Sequence, residues 1–320
     1  MSNRVRVGIV LPSREAAIAG DPSARRLIDL AVLAEQFGFD SAWAGDAPFA
    51  RARFDPLTLL AAVAARTDRL TVGTAIVLAV LRHPLLFAHA VATLDRVAEG
   101  RLVLGVGAGW VQSEFDAVGA RFNQRVGRLM ETIAICRALW RRSSDANPEP
   151  LEFEGRYWSF DGIRLFPAPT RPEGPPLWLG GSSDGTIKRT AAHFDGWFPN
   201  SPSPEAFAQG WSKVRDLAGA RELTPALYVT VNVNPDARAA EEETAQYVLD
   251  YYGMPVETMR KAQAYYAGDA AGCRQLLQAF IDAGVSHLAV RFSTLHPEPQ
   301  VELFAREILP AITRSQSGRI

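Results

Sequence analysis

The chain has 320 residues, of which 48% are hydrophobic and 22% are charged. This composition is typical of a soluble globular protein with a large core and excludes a disordered or fibrous chain. Its 34 basic and 35 acidic residues nearly cancel, so no overall field attracts nucleic acid or an anionic membrane surface, and a small-molecule partner is favoured.

Short apolar runs alternate with amphipathic segments of helical length along the whole chain. The first unit is representative: a strand candidate at 5–11 precedes a helix candidate at 24–37, and Gly38 ends that helix. The other strand candidates span 41–45, 70–78, 102–106, 177–179, 196–198, 226–233 and 285–292. The other helix candidates span 56–65, 84–98, 124–140, 184–192, 204–218 and 298–313.

Two segments interrupt this rhythm. Residues 143–176, after the fourth helix, are rich in proline, glycine and aromatics and predict an insertion with a small hairpin. About fifty residues after the seventh strand predict an extended helical segment, whose tyrosines either cover the barrel mouth or pack against the barrel. Eight strand–helix units without a change in composition predict one (β/α)₈ TIM barrel domain over 1–320. A doubly wound parallel sheet is the alternative, because short strands are hard to count.

Two features predict a cytoplasmic protein. The segment from Arg4 enters a strand pattern without the apolar core of a secretory signal, and no apolar stretch reaches the roughly 18 residues of a membrane span. Cys136 and Cys273 lie far apart in apolar helical patterns, which indicates buried free thiols in a reducing compartment.

The turn after the fourth strand carries glycine at alternate positions. In such a barrel the active site lies at the carboxyl ends of the strands. Gly105, Gly107 and Gly109, with Ala108 and Trp110 beside them, allow the backbone to approach a flat or phosphorylated ligand. The spacing is not the dinucleotide fingerprint G-x-G-x-x-G. The alternative is that these glycines only relieve a crowded turn.

The turn after the fifth strand opens a helix with Gly180, Gly181, Ser182 and Ser183. Unpaired amides at a helix start, two glycines and two hydroxyls predict a phosphate cradle. The alternative is simple N-capping by Ser183 or by the Asp184 that follows. Arg125 and Arg128, at the start of the fourth helix, are the candidate countercharges for the phosphate.

Three other positions near strand ends bear on the chemistry. Asp46, after the second strand, either accepts hydrogen bonds from a heterocycle or caps a turn, and Gly73 in the third strand indicates a bulge or a ligand lying against it. His83 is more typical of a local hydrogen bond than of catalysis. No Ser-His-Asp order, H-E-x-x-H motif or cluster of metal ligands supports hydrolysis or a metal site. An organic cofactor that carries the chemistry is the remaining interpretation.

The sequence resembles the luciferase-like monooxygenase superfamily, whose members are (β/α)₈ barrels that use reduced FMN or the deazaflavin F420. The likeness runs through roughly residues 4–200 and rests on the order and spacing of several segments together. These segments are 34–43 (AEQFGFDSAW), 82–84 (RHP), 92–95 (ATLD), 100–110 (GRLVLGVGAGW), 175–183 (PPLWLGGSS) and 195–197 (DGW).

The resemblance implies a set of binding residues. Gly180, Gly181, Ser182 and Ser183 would hold the cofactor phosphate, aided by Arg125. A bulge at Ala75–Ile76, often a non-prolyl cis peptide in this superfamily, would buttress the ring. The rest of the cofactor site would comprise Asp46, Gly107, Ala108 and Gly109, and the substrate side Trp43 and Trp110. A homodimer formed through the helices at 57–65 and 85–92 is also implied.

One departure from the superfamily pattern leaves the cofactor and the catalytic acid or base open. Many relatives carry a histidine after the second strand, where this chain has Asp46-Ala47. The Gly-Gly-Ser-Ser-Asp loop favours a monooxygenase that uses O₂ and reduced FMN from a separate flavin reductase on a small organic substrate. The Gly-Ala-Gly-Trp turn supports the alternative, F420-dependent hydride transfer without O₂. A non-catalytic flavin-binding barrel is a third hypothesis.

Overall fold

The computed structural model describes residues 4–21 and 23–313. Within them, the strands are β1 (Arg6–Val10), β2 (Ser41–Ala44), β3 (Thr71–Val77), β4 (Leu102–Val106), β5 (Leu151–Glu154), β6 (Ser159–Ile163), β7 (Leu177–Gly180), β8 (Gly196–Phe198), β9 (Thr224–Val233), β10 (Ala264–Gly268) and β11 (His287–Phe292). The helices are α1 (Ser13–Ile18), α2 (Ala24–Gln36), α3 (Pro56–Ala64), α4 (Pro84–Val97), α5 (Gln112–Ala117), α6 (Arg125–Arg142), α7 (Asp184–His193), α8 (Pro204–Ala218), α9 (Ala237–Tyr252), α10 (Val256–Arg260), α11 (Ala270–Asp282), α12 (Glu298–Glu307) and α13 (Leu309–Ile312).

Eight parallel strands close into a barrel. The hydrogen-bonded order is β11, β1, β2, β3, β4, β7, β8 and β9, and β9 pairs with β11 to complete the ring. This closure confirms the predicted TIM barrel and excludes the open doubly wound sheet, in which edge strands would remain. None of the helices in the described ranges is long and apolar enough to cross a membrane.

One of the two irregular segments contains a strand that the sequence does not predict. The insertion forms the antiparallel hairpin β5–β6, as expected. The extended segment after β9, however, is not helical throughout, because β10 pairs in parallel with the second half of β9. Since β8 pairs only with the start of β9, the upper part of β9 has a free edge that β10 covers.

An aromatic cluster fills the inside of the barrel, and we call it the floor. It contains Trp43, Trp178, Phe198 and His287, whose ring centroids lie 5.2–5.7 Å apart in the contacting pairs. Gly73 belongs to this packing, because a Cβ there would lie 2.3 Å from the Trp43 ring. The sequence indicated a bulge or a ligand at Gly73, and the group that lies against the third strand there is the indole of Trp43.

Two polar side chains of the floor are hydrogen-bonded through Ser41. Ser41 Oγ accepts a hydrogen bond from Trp43 Nε1 at 2.8 Å and lies 2.8 Å from His287 Nε2. Burial lowers the pKa of His287 to about 3 because the cation is poorly solvated there. The imidazole is therefore neutral. The two cysteines are buried and free of disulfides, as the sequence predicts.

Candidate active site

A cavity of about 510 Å³ opens at the carboxyl ends of the barrel strands. Its wall is built by residues at the ends of β2, β3, β4, β7 and β8, and α9 with the segment that follows it covers one side. The sequence-predicted residues that line it are Asp46, Ala75, Ile76, Gly107, Ala108, Gly109, Trp110, Gly180 and Gly181. Position and chemistry thus agree with a ligand site at the mouth of the barrel.

The peptide bond between Ala75 and Ile76 is cis, as the resemblance implies. Ile76 lies between two glycines: a Cβ on Gly107 would be 2.8 Å from its Cδ1, and a Cβ on Gly180 would be 3.1 Å from its Cγ2. These glycines let the turns after β4 and β7 close against Ile76. They also leave side-chain-free backbone along the cavity, where a flat ring can approach closely.

The turn after β7 combines cavity lining with helix capping. Gly181, with φ of +115°, adopts a conformation that favours glycine, and its carbonyl accepts a hydrogen bond from Trp197 Nε1 at 2.9 Å. Ser183 Oγ accepts from the Thr186 backbone N–H at 3.2 Å and so caps α7. Ser182 and Ser183 are exposed beside the cavity. The capping alternative is therefore present in the structure, and the phosphate role of the two serines stays a prediction.

Arg125 does not reach this turn. Its guanidinium lies over the Phe122 ring at 4.1 Å and donates to the Phe122 carbonyl at 3.1 Å, and the residue does not line the cavity. Arg128 stacks on Trp158 in the insertion at 4.9 Å. Arg189 is the basic residue of the capped helix that contacts its first turn, with Nη2 3.5 Å from Thr186 Oγ1. Its position within α7 is the signal that could have identified it.

Asp46 lines the cavity, but its carboxylate is already bonded to the protein. Oδ2 accepts a hydrogen bond from the Leu78 backbone N–H at 2.9 Å and pairs with Arg82, which also binds Asp55 at 2.8 Å. Burial lowers the pKa of Arg82, and the two carboxylates more than offset this effect. The structure thus gives Asp46 a role in holding the ends of β2 and β3, as the turn-capping alternative proposes.

The two tryptophans predicted on the substrate side occupy very different places. Trp43 is wrong as a substrate contact in this structure, because its side chain is fully buried in the floor and does not line the cavity. In a barrel strand the inward side chains fill the interior, and only residues past the strand end reach the mouth. Trp110 is 65% exposed and lines the cavity.

The side of the cavity that faces solvent combines two tyrosines of the extended segment, which the sequence offered as a possible cover of the mouth, with two arginines that the sequence did not single out. We call this side the roof. It comprises Arg51 and Arg53 from the loop after β2 and Tyr251 and Tyr252 from the end of α9. Arg51 lies 5.0 Å from the rings of both Trp110 and Tyr252. Arg53 Nη2 donates to Tyr251 Oη at 3.0 Å. The roof therefore joins two segments that are about two hundred residues apart in sequence.

A buried arginine holds Tyr252 in the roof. Arg291, on β11, is fully buried and donates to Thr230 Oγ1 at 3.1 Å and to Tyr252 Oη at 3.0 Å. Gln263 Nε2 also donates to Tyr252 Oη, at 3.3 Å. Burial raises the pKa of Tyr252, but the charge of Arg291 and these hydrogen bonds outweigh burial, so the pKa lies below its ordinary value.

The loop that carries the roof arginines is anchored by Glu114 of α5. Its buried carboxylate accepts hydrogen bonds from the backbone N–H groups of Phe49 and Ala50, at 3.3 and 3.2 Å. Among residues 4–21 and 23–313, no group of three or more His, Cys, Asp or Glu side chains is placed to hold a metal ion.

Comparison with known families matches residues 5–287 to the model of luciferase-like monooxygenases. The chain belongs to the luciferase-like monooxygenase family. Among relatives of this family member, the F420-dependent glucose-6-phosphate dehydrogenase of Rhodococcus erythropolis is 26% identical and covers 90% of this chain and 94% of that protein. The enzyme of the same name from Kineococcus radiotolerans is 32% identical, with coverage of 90% and 93%.

Solved structures of similar fold include proteins with either cofactor. An F420-dependent secondary alcohol dehydrogenase in complex with an F420–acetone adduct has a TM-score of 0.79 at 19% identity and covers 97% of this chain and 100% of its own. The oxygenating constituent of 3,6-diketocamphane monooxygenase from Pseudomonas putida, in complex with FMN, has a TM-score of 0.78 at 20% identity, with coverage of 97% and 99%. At these identities the likeness shows the fold alone. The comparisons together support an oxidoreductase as the class of enzyme for this luciferase-like barrel.

Proposed function

We propose that this luciferase-like protein is an F420-dependent oxidoreductase that transfers a hydride between F420 and a small alcohol or its carbonyl product. The observation that carries the proposal is that relatives aligned over 90% of the chain are named F420-dependent dehydrogenases. FMN, which the Gly-Gly-Ser-Ser-Asp loop favours, is bound in a fold neighbour at 20% identity, where the likeness shows the fold alone. The names of the relatives likewise favour an enzyme over a non-catalytic flavin-binding barrel.

The residues at the cavity fit a flat cofactor that carries a phosphate. The cis peptide at Ala75–Ile76 and the glycines 107 and 180 leave a wall without projecting side chains on one side. Gly181 continues this wall toward the start of α7, where backbone N–H groups favour an anion. F420, when bound, supplies the acceptor for the hydride that leaves the alcohol carbon.

Tyr252 is the candidate for the proton that leaves the alcohol oxygen. The chain has Ala47 where many relatives have a histidine, so another group must take this proton. Tyr252 lines the cavity, and its Oη accepts hydrogen bonds from Arg291 and Gln263, an arrangement that stabilises the phenolate. As a phenolate it would accept the hydroxyl proton, and as a phenol it would return that proton in the reverse reaction.

Cofactor choice is tested by fluorescence titration of the purified protein with F420 and, separately, with FMN. We expect micromolar binding of F420 and none of FMN, and tight FMN binding without F420 binding would overturn the proposal. Gly181→Val should abolish F420 binding, because the side chain strains a backbone with φ of +115°. Gly219→Val is the matched control, since Gly219 also has positive φ, 61°, but lies at the end of α8, outside the cavity.

The role of Tyr252 is tested by Tyr252→Phe with an alcohol found by screening F420 reduction over secondary alcohols, hydroxy acids and glucose-6-phosphate. We expect kcat for alcohol oxidation to fall about 100-fold or more, with the Kd of F420 unchanged. In the wild type, kcat should rise with pH through a pKa below the ordinary tyrosine value, because the phenolate is the active form. Tyr265→Phe is the control, since Tyr265 also contacts Arg291, at 3.3 Å, but does not line the cavity. Equal loss in both variants would contradict the assignment.

A flavin reductase partner belongs only to the FMN interpretation. The homodimer through 57–65 and 85–92, like the cytoplasmic location, stays a prediction.

A further inference from the structure

Three guanidinium groups around the roof have no carboxylate partner. Arg14, Arg51 and Arg53 form no ion pair within the described part of the chain. The pKa of Arg14 is lowered, and burial is the largest cause. The positive charges of Arg51 and Arg53 lower it further, because the three groups lie close together. An unneutralised group of like charges beside a cavity is costly unless an anion joins it.

The acidic residues near this group are bonded elsewhere. Glu15 accepts a hydrogen bond from Tyr247 Oη, Glu114 accepts from two backbone N–H groups, and Asp46 pairs with Arg82. Glu15 still attracts Arg14 and Arg53 at longer range. None of the three carboxylates forms a salt bridge with a roof arginine.

Arg53 has a buried donor without an acceptor. Its Nη2 donates to Tyr251 Oη, but its Nε is buried and has no hydrogen-bond partner. The guanidinium lies over the end of β2, where a Cβ on Gly45 would be 2.3 Å from Nη1 and 3.4 Å from the Ala75 carbonyl oxygen. A charged group with an unsatisfied N–H in such a place is unfavourable, and an oxyanion in the cavity that Arg53 lines would offset its charge.

Among residues 4–21 and 23–313, Arg51 is positioned by ring faces and not by hydrogen bonds or ion pairs. The rings of Trp110 and Tyr252 each lie 5.0 Å from its guanidinium carbon. The faces of aromatic rings hold a cation without using its N–H groups. Those donors therefore stay available toward the cavity that Arg51 lines together with Arg53.

We propose that Arg51 and Arg53 form a subsite for the anionic group of the substrate, a carboxylate or a phosphate monoester. The assignment of this subsite to a substrate rests on the proposed function. With that function, the substrate is a hydroxy acid, a phosphorylated alcohol or the matching carbonyl compound. The same chemistry occurs in the acidic tail of F420. We assign the subsite to the substrate because it adjoins Tyr252, whereas the cofactor cradle follows β7, separated from β2 by β3 and β4 around the barrel.

The test is isothermal titration calorimetry with two probes, inorganic phosphate and benzoate, on the protein with and without saturating F420. We expect saturable binding of at least one probe that weakens tenfold or more in Arg53→Gln and in Arg51→Gln, and less in Arg53→Lys. Arg274→Gln, which removes a partly exposed arginine that does not line the cavity, is the control and should bind like the wild type. If Arg53→Gln does not fold, Arg51→Gln decides, because its guanidinium makes ring contacts only.

Three other results would overturn the anion subsite, and a fourth would refute only the proposed cofactor. No saturable binding, or equal binding in the arginine variants, removes the subsite. Phosphate binding lost in Gly181→Val but kept in Arg53→Gln places the anion at the turn after β7 instead. A tenfold loss of F420 affinity in Arg53→Gln, with unchanged affinity for the deazaflavin chromophore that lacks the acidic tail, assigns the arginines to the cofactor. The wild type could also bind a probe in an arginine-dependent way and yet not bind F420. That result would refute the proposed cofactor and leave the anion subsite standing.

Discussion

The floor and the roof of the barrel are both rich in aromatic rings, yet they differ in charge and in origin. The floor comes from strand residues, is neutral, and has its polar atoms hydrogen-bonded within Ser41, Trp43 and His287. The roof comes from the loop after β2 and from α9, and its arginines have no carboxylate partners. A closed set of interactions suits stability, whereas an open set suits a ligand. Aromatic rings therefore pack against one another in the floor, whereas in the roof they hold arginine side chains beside the cavity.

Two tryptophans test this division most strongly. Trp43→Ala should lower the free energy of unfolding by about 3–5 kcal/mol, because it leaves a large cavity in a packed interior. Trp110→Ala should change it by no more than about 0.5 kcal/mol, since Trp110 is 65% exposed. Urea unfolding followed by circular dichroism measures both values. Similar losses in the two variants would erase the distinction between the packed floor and the exposed ring that holds the roof residue Arg51.

The buried histidine gives the floor a pH dependence that the roof does not share. His287 has its pKa lowered to about 3, whereas an unfolded histidine titrates near 6.5. Below about pH 6.5 the unfolded chain therefore binds a proton that the folded chain refuses, so stability falls as the pH is lowered. By pH 4 this group should account for a loss of roughly 3 kcal/mol.

The measurement is the free energy of unfolding at pH 7, 5.5 and 4 for the wild type and two variants. His287→Gln should be less stable at pH 7 but should lose less on acidification. His89→Gln replaces an exposed histidine and should keep the wild-type slope. If His287→Gln has the wild-type slope as well, the imidazole is not held neutral by its surroundings.

Ser183→Ala is expected to give the smallest change in stability. It tests whether Ser183, in the turn after β7, only caps α7 or also binds a ligand. Its hydroxyl accepts the Thr186 N–H, so Ser183→Ala should cost about 1 kcal/mol of stability. If Ser183 only caps α7, the Kd of F420 measured by fluorescence stays within twofold of the wild type. A tenfold rise in Kd would add a contact with the cofactor to the capping role.

The sequence predicts the barrel well because its evidence is local and repeated. Each strand–helix unit shows its own periodicity, and eight units in a row leave few arrangements. Strand β10 escapes this reasoning, since residues 264–268 are short, follow a helical pattern and pair only where β9 extends beyond β8. The glycine turns at 107–109 and 180–181 are predictable for the same local reason, as glycine has a special backbone range wherever it occurs.

The pairing of the roof tyrosines with Arg51 and Arg53 is not predictable, because it depends on contacts between segments that are distant in sequence. Arg53 and Tyr251, which are hydrogen-bonded, are separated by 198 positions, and neither has a local pattern that indicates the other. The Trp43 assignment failed for a related reason. Both faces of a parallel barrel strand are apolar, so the sequence does not show whether the side chain at position 43 faces the interior, the mouth or the helices.

The contact of Arg51 with Trp110 and Tyr252 leaves Arg51 easy to displace. A cation over an exposed aromatic face is worth about 0.5–1 kcal/mol, so the two contacts together oppose its release by about 1–2 kcal/mol. At equilibrium Arg51 would then be away from the rings for between roughly one part in six and one part in thirty of the time. An anion that pairs with Arg51 therefore has to offset only this small cost to draw the guanidinium off the rings.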